Sequence, residues 1–245
     1  VLPEADLILL LGKKLDFSVG QGKAPAVGDG CRFIQVDADP ATLEQTRRTL
    51  ADPARLPLAY LADPASMARQ IAGLAGSKKW STASWRDEVA AAVAYRPAEW
   101  RELESPPEGP LHAVEVSRVV QEFLDRDPQS VFIADGGEFG QWVQSCVSSP
   151  RRVINGPGGS IGTSIPFAIA ASLAYPDSRV VTLLGDGTFG FHGMEIDTAV
   201  RHNIPFIALI GNDAAWNAEY QIQLREYGPE RAIGCELFPS RYDQV

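Results

Sequence analysis

Cysteine, histidine, basic charge and long apolar runs are all scarce in this chain, and each scarcity excludes something. The three cysteines among 245 residues, Cys31, Cys146 and Cys235, are scattered, odd in number and without CxxC spacing. They make neither a disulfide framework nor a zinc site, and a reducing cytoplasm is the expected compartment. The net charge of −9 leaves no basic footprint for nucleic acid and mainly provides solubility. No apolar run reaches the roughly eighteen residues of a transmembrane helix, so no membrane partner is expected. The first 80 residues contain no GxGxxG, and the chain has no internal repeat, no low-complexity tract, no initiator Met and no signal peptide. The chain opens inside a strand pattern, "VLPEADLILLLG", and stops at "SRYDQV", so both ends read as cut from something longer.

What is present is apolar material, 45% of residues, arranged in alternation. Residues 6–11 form a continuous apolar run that suits a strand buried on both faces, and "RFIQVDADP" (32–40) reads as a second such strand, stopped by Asp39-Pro40. "ATLEQTRRTL" and "PASMARQIAGLA" read as helices, with the short strand "LPLAYL" between them. From residue 111 the pattern resumes. The helix "AVEVSRVVQEFLD" leads to the strand "SVFIAD", then the helix "FGQWVQSCV", the glycine-rich loop "GPGGSIGTS" and the helix "PFAIAASLAY". The strand "RVVTLLGDG", a helix through "MEIDTAVRHN", the strand "FIALIGND" and a helix through "EYQIQLREYG" complete it. Such alternation predicts an α/β chain of two doubly wound parallel-sheet domains with helices on both faces. Residues 81–110, rich in proline and charge around "RELESPPEGP", read as a linker between a domain at 1–80 and a second at 111–245.

In open α/β sheets ligands sit beyond the carboxyl ends of the strands. Three such ends carry unusual polar sequence: "ADGGE" (134–138), "GDGT" (185–188) and "GND" (211–213). Glycines admit a ligand close to the backbone. Main-chain N–H groups there favour phosphate oxygens. Asp186 and Asp213 would repel a bare phosphate, but accept one through a bridging Mg²⁺. Asp186 alone reads more readily as a turn residue between glycines than as a ligand. Asp213, one helix and one strand later at the same sheet edge, favours the metal reading.

The stretch "GDGTFGFHGMEIDTAVRHNIPFIALIGND" resembles the thiamine diphosphate signature, which begins GDG and ends in NN. Asp213 lies 27 residues after Asp186, on the second Asn of that pattern, and Glu195 and Pro205 also match it. With "FGFHGMEIDT" and "LGKKLDF", the chain is similar to the acetolactate synthase-like and 2-hydroxyacyl-CoA lyase enzymes. The resemblance implies that residues 1–80 are the later part of a central, nucleotide-binding-like domain. It implies that residues 111–245 are a thiamine diphosphate-binding domain, shortened at its C-terminus. It further implies Mg²⁺ held by Asp186, Asp213 and the main-chain oxygen of Ala215, with Asn212 as the other candidate for the second ligand. Gly185, Gly187, Thr188, Gly137, Glu138 and Phe139 would contact the cofactor, and Ile161 would wedge it into a bend. The implied activity is carbon–carbon lyase or ligase chemistry on a 2-keto acid or 2-hydroxyacyl-CoA, in a homodimer or homotetramer.

Three departures accompany this. Asp213 stands where the family has Asn, and Phe139 where it has His. The domain that supplies the family's catalytic glutamate has no counterpart here, so the 245 residues alone are expected to be inactive. The other reading is a non-catalytic nucleotide- or phosphate-binding α/β protein.

The remaining candidates read as structural. His112 starts a helix at the surface, and His202 suits a helix C-terminus. His192 lies near the metal loop but reads as surface, Glu195 as a helix-surface residue, and Trp142 and Trp216 as packing aromatics. In the first domain, "GKKLDF", "GQGKAPAVGDG" and "VDADP" sit where related domains hold FAD or a CoA nucleotide, an expectation resting on fold analogy alone.

Overall fold

The computed structural model describes residues 1–76, 83–155 and 159–245. The chain divides into two compact units, Val1–Tyr95 and Arg96–Val245.

The first unit is a parallel sheet of order β1-β2-β3, from β1 (Leu7–Leu11), β2 (Arg32–Asp37) and β3 (Leu58–Leu61). Its helices are α1 (Pro40–Leu50), α2 (Pro64–Ala75) and α3 (Ala83–Ala94). Asp-Pro pairs start two of them. Asp39 accepts from Ala41 N at 2.9 Å and Asp63 from Ser66 N at 2.7 Å, each with proline in the first turn. The carboxylate satisfies a free helix donor, and proline loses no bond there. One sheet face packs Leu10 and Phe33 against Leu15, Val27, Cys31 and Leu50. Arg55 ties the intervening loop together, donating to the carbonyls of Cys31, Gly22 and Gly28. The expectation that β1 is buried on both faces is not met: Leu7 and Leu9 are 46% and 43% exposed. Beta-1 is an edge strand, and these leucines share a face with the exposed Leu58, whereas Leu10 points into the core.

In the first unit the nucleotide expectation meets engaged side chains. Asp37 accepts from Asp39 N at 2.9 Å, closing the turn into α1.

The second unit contains α4 (Glu99–Glu102), α5 (Ala113–Leu124), β4 (Val131–Ala134), α6 (Gly137–Cys146), β5 (Arg151–Ile154) and α7 (Ser164–Ala174). It continues with β6 (Val180–Gly185), α8 (Asp186–His192), α9 (Glu195–Arg201), β7 (Ile207–Gly211) and α10 (Asn217–Tyr227). Its sheet is wholly parallel, of order β5-β4-β6-β7. On one face Phe132, Ala134, Val181 and Leu183 meet Val120 and Leu124 of α5 and Val143 of α6. On the other, Val131, Ile133 and Val180 meet Ala168 and Ala171 of α7, while Leu184 packs on Ile165 and Phe189. Consecutive strand residues thus enter opposite cores, the two-residue period of a sheet covered on both sides. Each fully buried large side chain contributes about 1.5–3 kcal/mol.

Residues 100–105, expected within the linker, lie against α5. Arg118 donates to the carbonyls of Trp100 (2.9 Å), Arg101 (3.1 Å) and Leu103. The Glu115 carboxylate accepts from Ser105 N at 2.8 Å, and the bonds from the Ser105 hydroxyl and then its N–H hold its pKa below the usual range. Residues 81–82 of that expected linker fall outside the described residues, as does 156–158 of the glycine-rich loop.

The strand order fixes where a ligand can sit. From β4 the chain steps outward to β5, then returns to place β6 on the other side of β4. The β4/β6 boundary is therefore the topological switch point, with a crevice beyond its carboxyl ends.

Candidate functional site

Beta-6 and β7 are paired through Gly185 and Gly211, so the residues that follow them emerge side by side. Asp186 is the first residue of α8, with Gly185 as N-cap, rather than part of an open turn. It is 2% exposed, and its Oδ2 is a buried oxygen with no hydrogen-bond partner. Burial pushes the Asp186 carboxyl above the usual carboxylate range. The Gly187 N–H opposes the shift, the nearby Asp213 carboxylate adds to it, and the Ala215 N–H opposes it. A buried, unpaired carboxylate oxygen beside a second carboxylate is costly unless a cation is shared between them.

Beyond β7 the chain turns sharply. Ala214 takes a left-handed conformation (φ 55°), with its N–H 3.3 Å from Asn212 Oδ1. Asn212 also donates from Nδ2 to the Ser240 carbonyl at 2.8 Å. Its side chain is thus committed to the turn and to the C-terminal segment. Asp213 instead lines the cleft, its Oδ2 accepting from Asn217 Nδ2 at 2.9 Å. Ala215 pairs with Glu236 through bonds made by its neighbours, Trp216 N to Cys235 O and Leu237 N to Ala214 O. In such a pair the central residue's own N–H and C=O face away from the partner strand. Ala215 also lines the cleft.

The opposite wall comes from β4 and α6. Gly137 has φ 84°, and a Cβ built there meets nothing within 4 Å, so the residue borders open space. Glu138 Oε1 accepts from Trp142 Nε1 at 3.0 Å. The Phe139 ring lies over the end of β7, where a Cβ on Gly211 would come within 2.4 Å of it. A Cβ on Gly187 would come within 2.8 Å of the Trp216 ring. Thr188 Oγ1 donates to the Gly185 carbonyl at 2.7 Å, closing the first turn of α8.

One cleft therefore gathers Gly137, Glu138, Phe139, Ile161, Gly185, Asp186, Gly187, Thr188, Asp213 and Ala215, whereas Asn212, the other candidate for the second metal ligand, is not among its lining residues. Trp216, Asn217 and Glu219 line it too, and no Lys, Arg or His is among the lining residues. Among the described residues no cluster of three or more His, Cys, Asp or Glu side chains is arranged to hold a metal. A cation here would draw on two carboxylates and a main-chain oxygen.

The structure adds Asp135, which the sequence reading passed over inside "ADGGE". It is wholly buried and accepts from Gly136 N (2.8 Å), Gly162 N (3.0 Å) and Ser164 N (3.0 Å). An aspartate that follows a strand and precedes two glycines looks like a turn residue; its partners lie 27 and 29 positions ahead and leave no local signal.

The histidines differ from expectation in one case. His112 caps α5, its Nδ1 accepting from Val114 N at 3.2 Å, and its ring packs edge-on to Trp142 at 5.1 Å. It is half-buried. His202 is the exposed C-cap residue of α9. His192 is exposed, with Nδ1 2.8 Å from the Gly162 carbonyl. Glu195 accepts from Thr198 Oγ1 at 2.8 Å on α9.

A parallel doubly wound unit with a glycine-lined, carboxylate-bearing cleft at its switch point has its cleft where α/β proteins hold ligands. Residues 135–240 match the family described as thiamine pyrophosphate enzyme, C-terminal TPP binding domain. The second unit thus carries a domain of the thiamine pyrophosphate enzyme family. The chain is 33% identical over 249 residues to the acetolactate synthase large subunit IlvG of Mycobacterium tuberculosis, covering 100% of this chain and 42% of the relative. It is 31% identical over 238 residues to the human 2-hydroxyacyl-CoA lyase 2, covering 95% of this chain and 36% of that protein. The chain thus spans about two-fifths of the length of these relatives. In fold it is similar to the thiamine diphosphate-dependent 4-hydroxybenzoylformate decarboxylase of Rhodococcus jostii, with a TM-score of 0.68, 19% identity, and coverage of 98% of this chain and 41% of that one.

Proposed function

We propose that the second unit binds thiamine diphosphate through Mg²⁺, and that the protein it serves is a carbon–carbon lyase or ligase acting on a 2-keto acid or 2-hydroxyacyl-CoA. The observation that carries the reading is the orphaned, buried Oδ2 of Asp186, a residue that lines a cleft with no cationic side chain among its lining residues. A diphosphate cannot enter a site lined by Asp186, Asp213, Glu138 and Glu219 unless a metal ion neutralises it.

Asp186, Asp213 and the Ala215 carbonyl would hold that ion. Gly187 and Thr188 would contact the diphosphate from the start of α8. Glu138 and Phe139 would border it from α6. When bound, thiamine diphosphate supplies a centre that stabilises carbanions, chemistry that side chains alone do not provide. The chain's own part is to hold the diphosphate end and to present Ile161 as an apolar wall against the body of the cofactor. Asp213, charged where relatives of this type carry Asn, strengthens the metal's hold and adds repulsion toward the phosphates. Assembly as a homodimer or homotetramer, a cytoplasmic location and the division into a central domain (1–80) and a diphosphate domain (111–245) belong to the same proposal.

Isothermal titration of the chain with thiamine diphosphate, with and without Mg²⁺, tests it. Binding is expected only with Mg²⁺, and Asp186→Ala is expected to weaken it on the order of 100-fold or more, because a charged oxygen ligand is lost with no substitute nearby. Equal affinity with and without Mg²⁺, or in the variant, contradicts the reading.

A further inference from the structure

Asp135 follows β4 at the switch point and is wholly buried. Its Oδ1 accepts from Gly136 N at 2.8 Å, Gly162 N at 3.0 Å and Asn155 Nδ2 at 3.4 Å, and its Oδ2 from Ser164 N at 3.0 Å. Ser164 is the first residue of α7, and its nominal N-cap, Thr163, makes no side-chain cap bond. Asp135 therefore caps α7 from 29 residues upstream, where a negative charge meets free N–H groups. The loop it grips is held from the other side as well. The Gly162 carbonyl lies 2.8 Å from His192 Nδ1, a bond that requires the proton on Nδ1. Gly162 has φ 87°, and a Cβ there would lie 2.3 Å from Phe191 Cβ, so the loop sits hard against α8.

Between these two grips lies Ile161. Its Cγ2 would be 2.7 Å from a Cβ on Gly136, so it is lodged directly over the glycine that follows Asp135, and it lines the cleft. Asp135 itself is not among the residues lining the cleft.

We propose that Asp135 is a positioning residue for the cofactor: with His192 it clasps the 159–164 loop and thereby sets Ile161 in the cleft. The inference rests on the thiamine diphosphate reading above. An ionised carboxylate is the side chain that suits the position, since all its partners are donors. Asparagine has nearly the same shape, but its NH₂ must face a backbone N–H, either at Gly136 and Gly162 or at Ser164. The loop must then move, and Ile161 with it. The metal and diphosphate residues on α8 and after β7 are not part of this clasp.

The test compares two probes on the full chain in the presence of Mg²⁺: thiamine diphosphate, which reaches Ile161, and inorganic pyrophosphate, which stops at the diphosphate end. Asp135→Asn is expected to lower thiamine diphosphate affinity about tenfold, equivalent to about 1.4 kcal/mol, and to leave pyrophosphate affinity within about twofold. Ile161→Ala is expected to give a similar selective loss. The double variant should lose no more than the larger single loss, because both changes remove one contact. His192→Ala, at an exposed position, should give a smaller selective loss of about threefold. If Asp135→Asn does not fold, the cycle of His192→Ala with Ile161→Ala decides the matter in its place. Unchanged thiamine diphosphate affinity in the variants overturns the inference. So does an equal loss for both probes, which marks a merely structural role, or losses that multiply in the double variant. Failure of the unsubstituted chain to bind thiamine diphosphate overturns the underlying reading instead.

Discussion

At the scale of single residues the site is built on unequal carboxylates. Asp186 is buried with one oxygen unpartnered, whereas Asp213 is exposed and shares a hydrogen bond with Asn217. The first would be the anchor of the metal and the second its charge supplement. Asp213→Asn removes one negative charge and keeps an oxygen ligand. Mg²⁺ affinity is expected to fall about tenfold, with thiamine diphosphate binding retained at saturating Mg²⁺, read by titration of the metal at fixed cofactor. Tighter Mg²⁺ binding in the variant would remove Asp213 from the metal shell. Asn212 is a poor substitute, because both ends of its amide are already engaged. Much of this was legible in sequence. Two aspartates at the ends of apolar runs, one between glycines and one two residues after a glycine, mark one sheet edge once the strands are taken as parallel. Asp135 was not legible, because what makes it important is a set of N–H groups brought to it by the fold.

At the scale of elements, the runs with two-residue or helical periodicity were readable and the exceptions have physical causes. Beta-5 was missed: "RRVI" is short, begins with two arginines and lies at the sheet edge, so it lacks the apolar run of its neighbours. Alpha-8 was folded into the strand-end loop because "DGTFGFH" carries two glycines, which disfavour helix when read locally. The stretch around "RELESPPEGP" looks like a linker by composition, yet Arg118 and Glu115 of α5 bind its backbone. Another connection of this kind supports a pH prediction. Asp127, between α5 and β4, accepts from Arg179 N at 2.7 Å and Gln129 N at 2.8 Å. These backbone bonds hold its carboxyl below the ordinary 3.8. A carboxylate with a depressed folded-state pKa stabilises the fold above its unfolded value, and loses that effect as pH falls through the folded value. Asp127→Asn is therefore expected to lower the melting temperature at pH 7, and the deficit to shrink progressively below pH 3.8. A deficit independent of pH between 7 and 2 would contradict the charge-assisted role; those pH limits bracket roughly the titration range of carboxylates.

At the scale of the whole molecule, the two-unit architecture and the parallel topology followed from alternation alone, while the burial of β1 did not, because an edge strand's outer face depends on what else packs there. The carboxylates of the cleft come from α6, α8, the turn after β7 and α10. In the proposed assignment they surround the diphosphate end, and none is assigned to the pyrimidine ring. The chain by itself is therefore expected to bind thiamine diphosphate without activating it. The exchange rate of the cofactor's C2 proton for deuterium, followed by NMR, should stay within about tenfold of the free cofactor, a difference of only ~1.4 kcal/mol. Acceleration by several orders of magnitude would mean that a proton relay is complete within these 245 residues. The central claim is that Asp186 anchors a metal-bound diphosphate at the β4/β6 switch point. Its most direct test is a crystal structure of the chain grown with thiamine diphosphate and Mn²⁺, with anomalous differences locating the metal. The account predicts one peak about 2.0–2.2 Å from Asp186 Oδ2, as befits a small divalent ion with oxygen ligands, with Asp213 and the Ala215 carbonyl completing the protein's share of its shell. Cofactor density in the cleft with no metal at Asp186, or metal bound elsewhere, would contradict it.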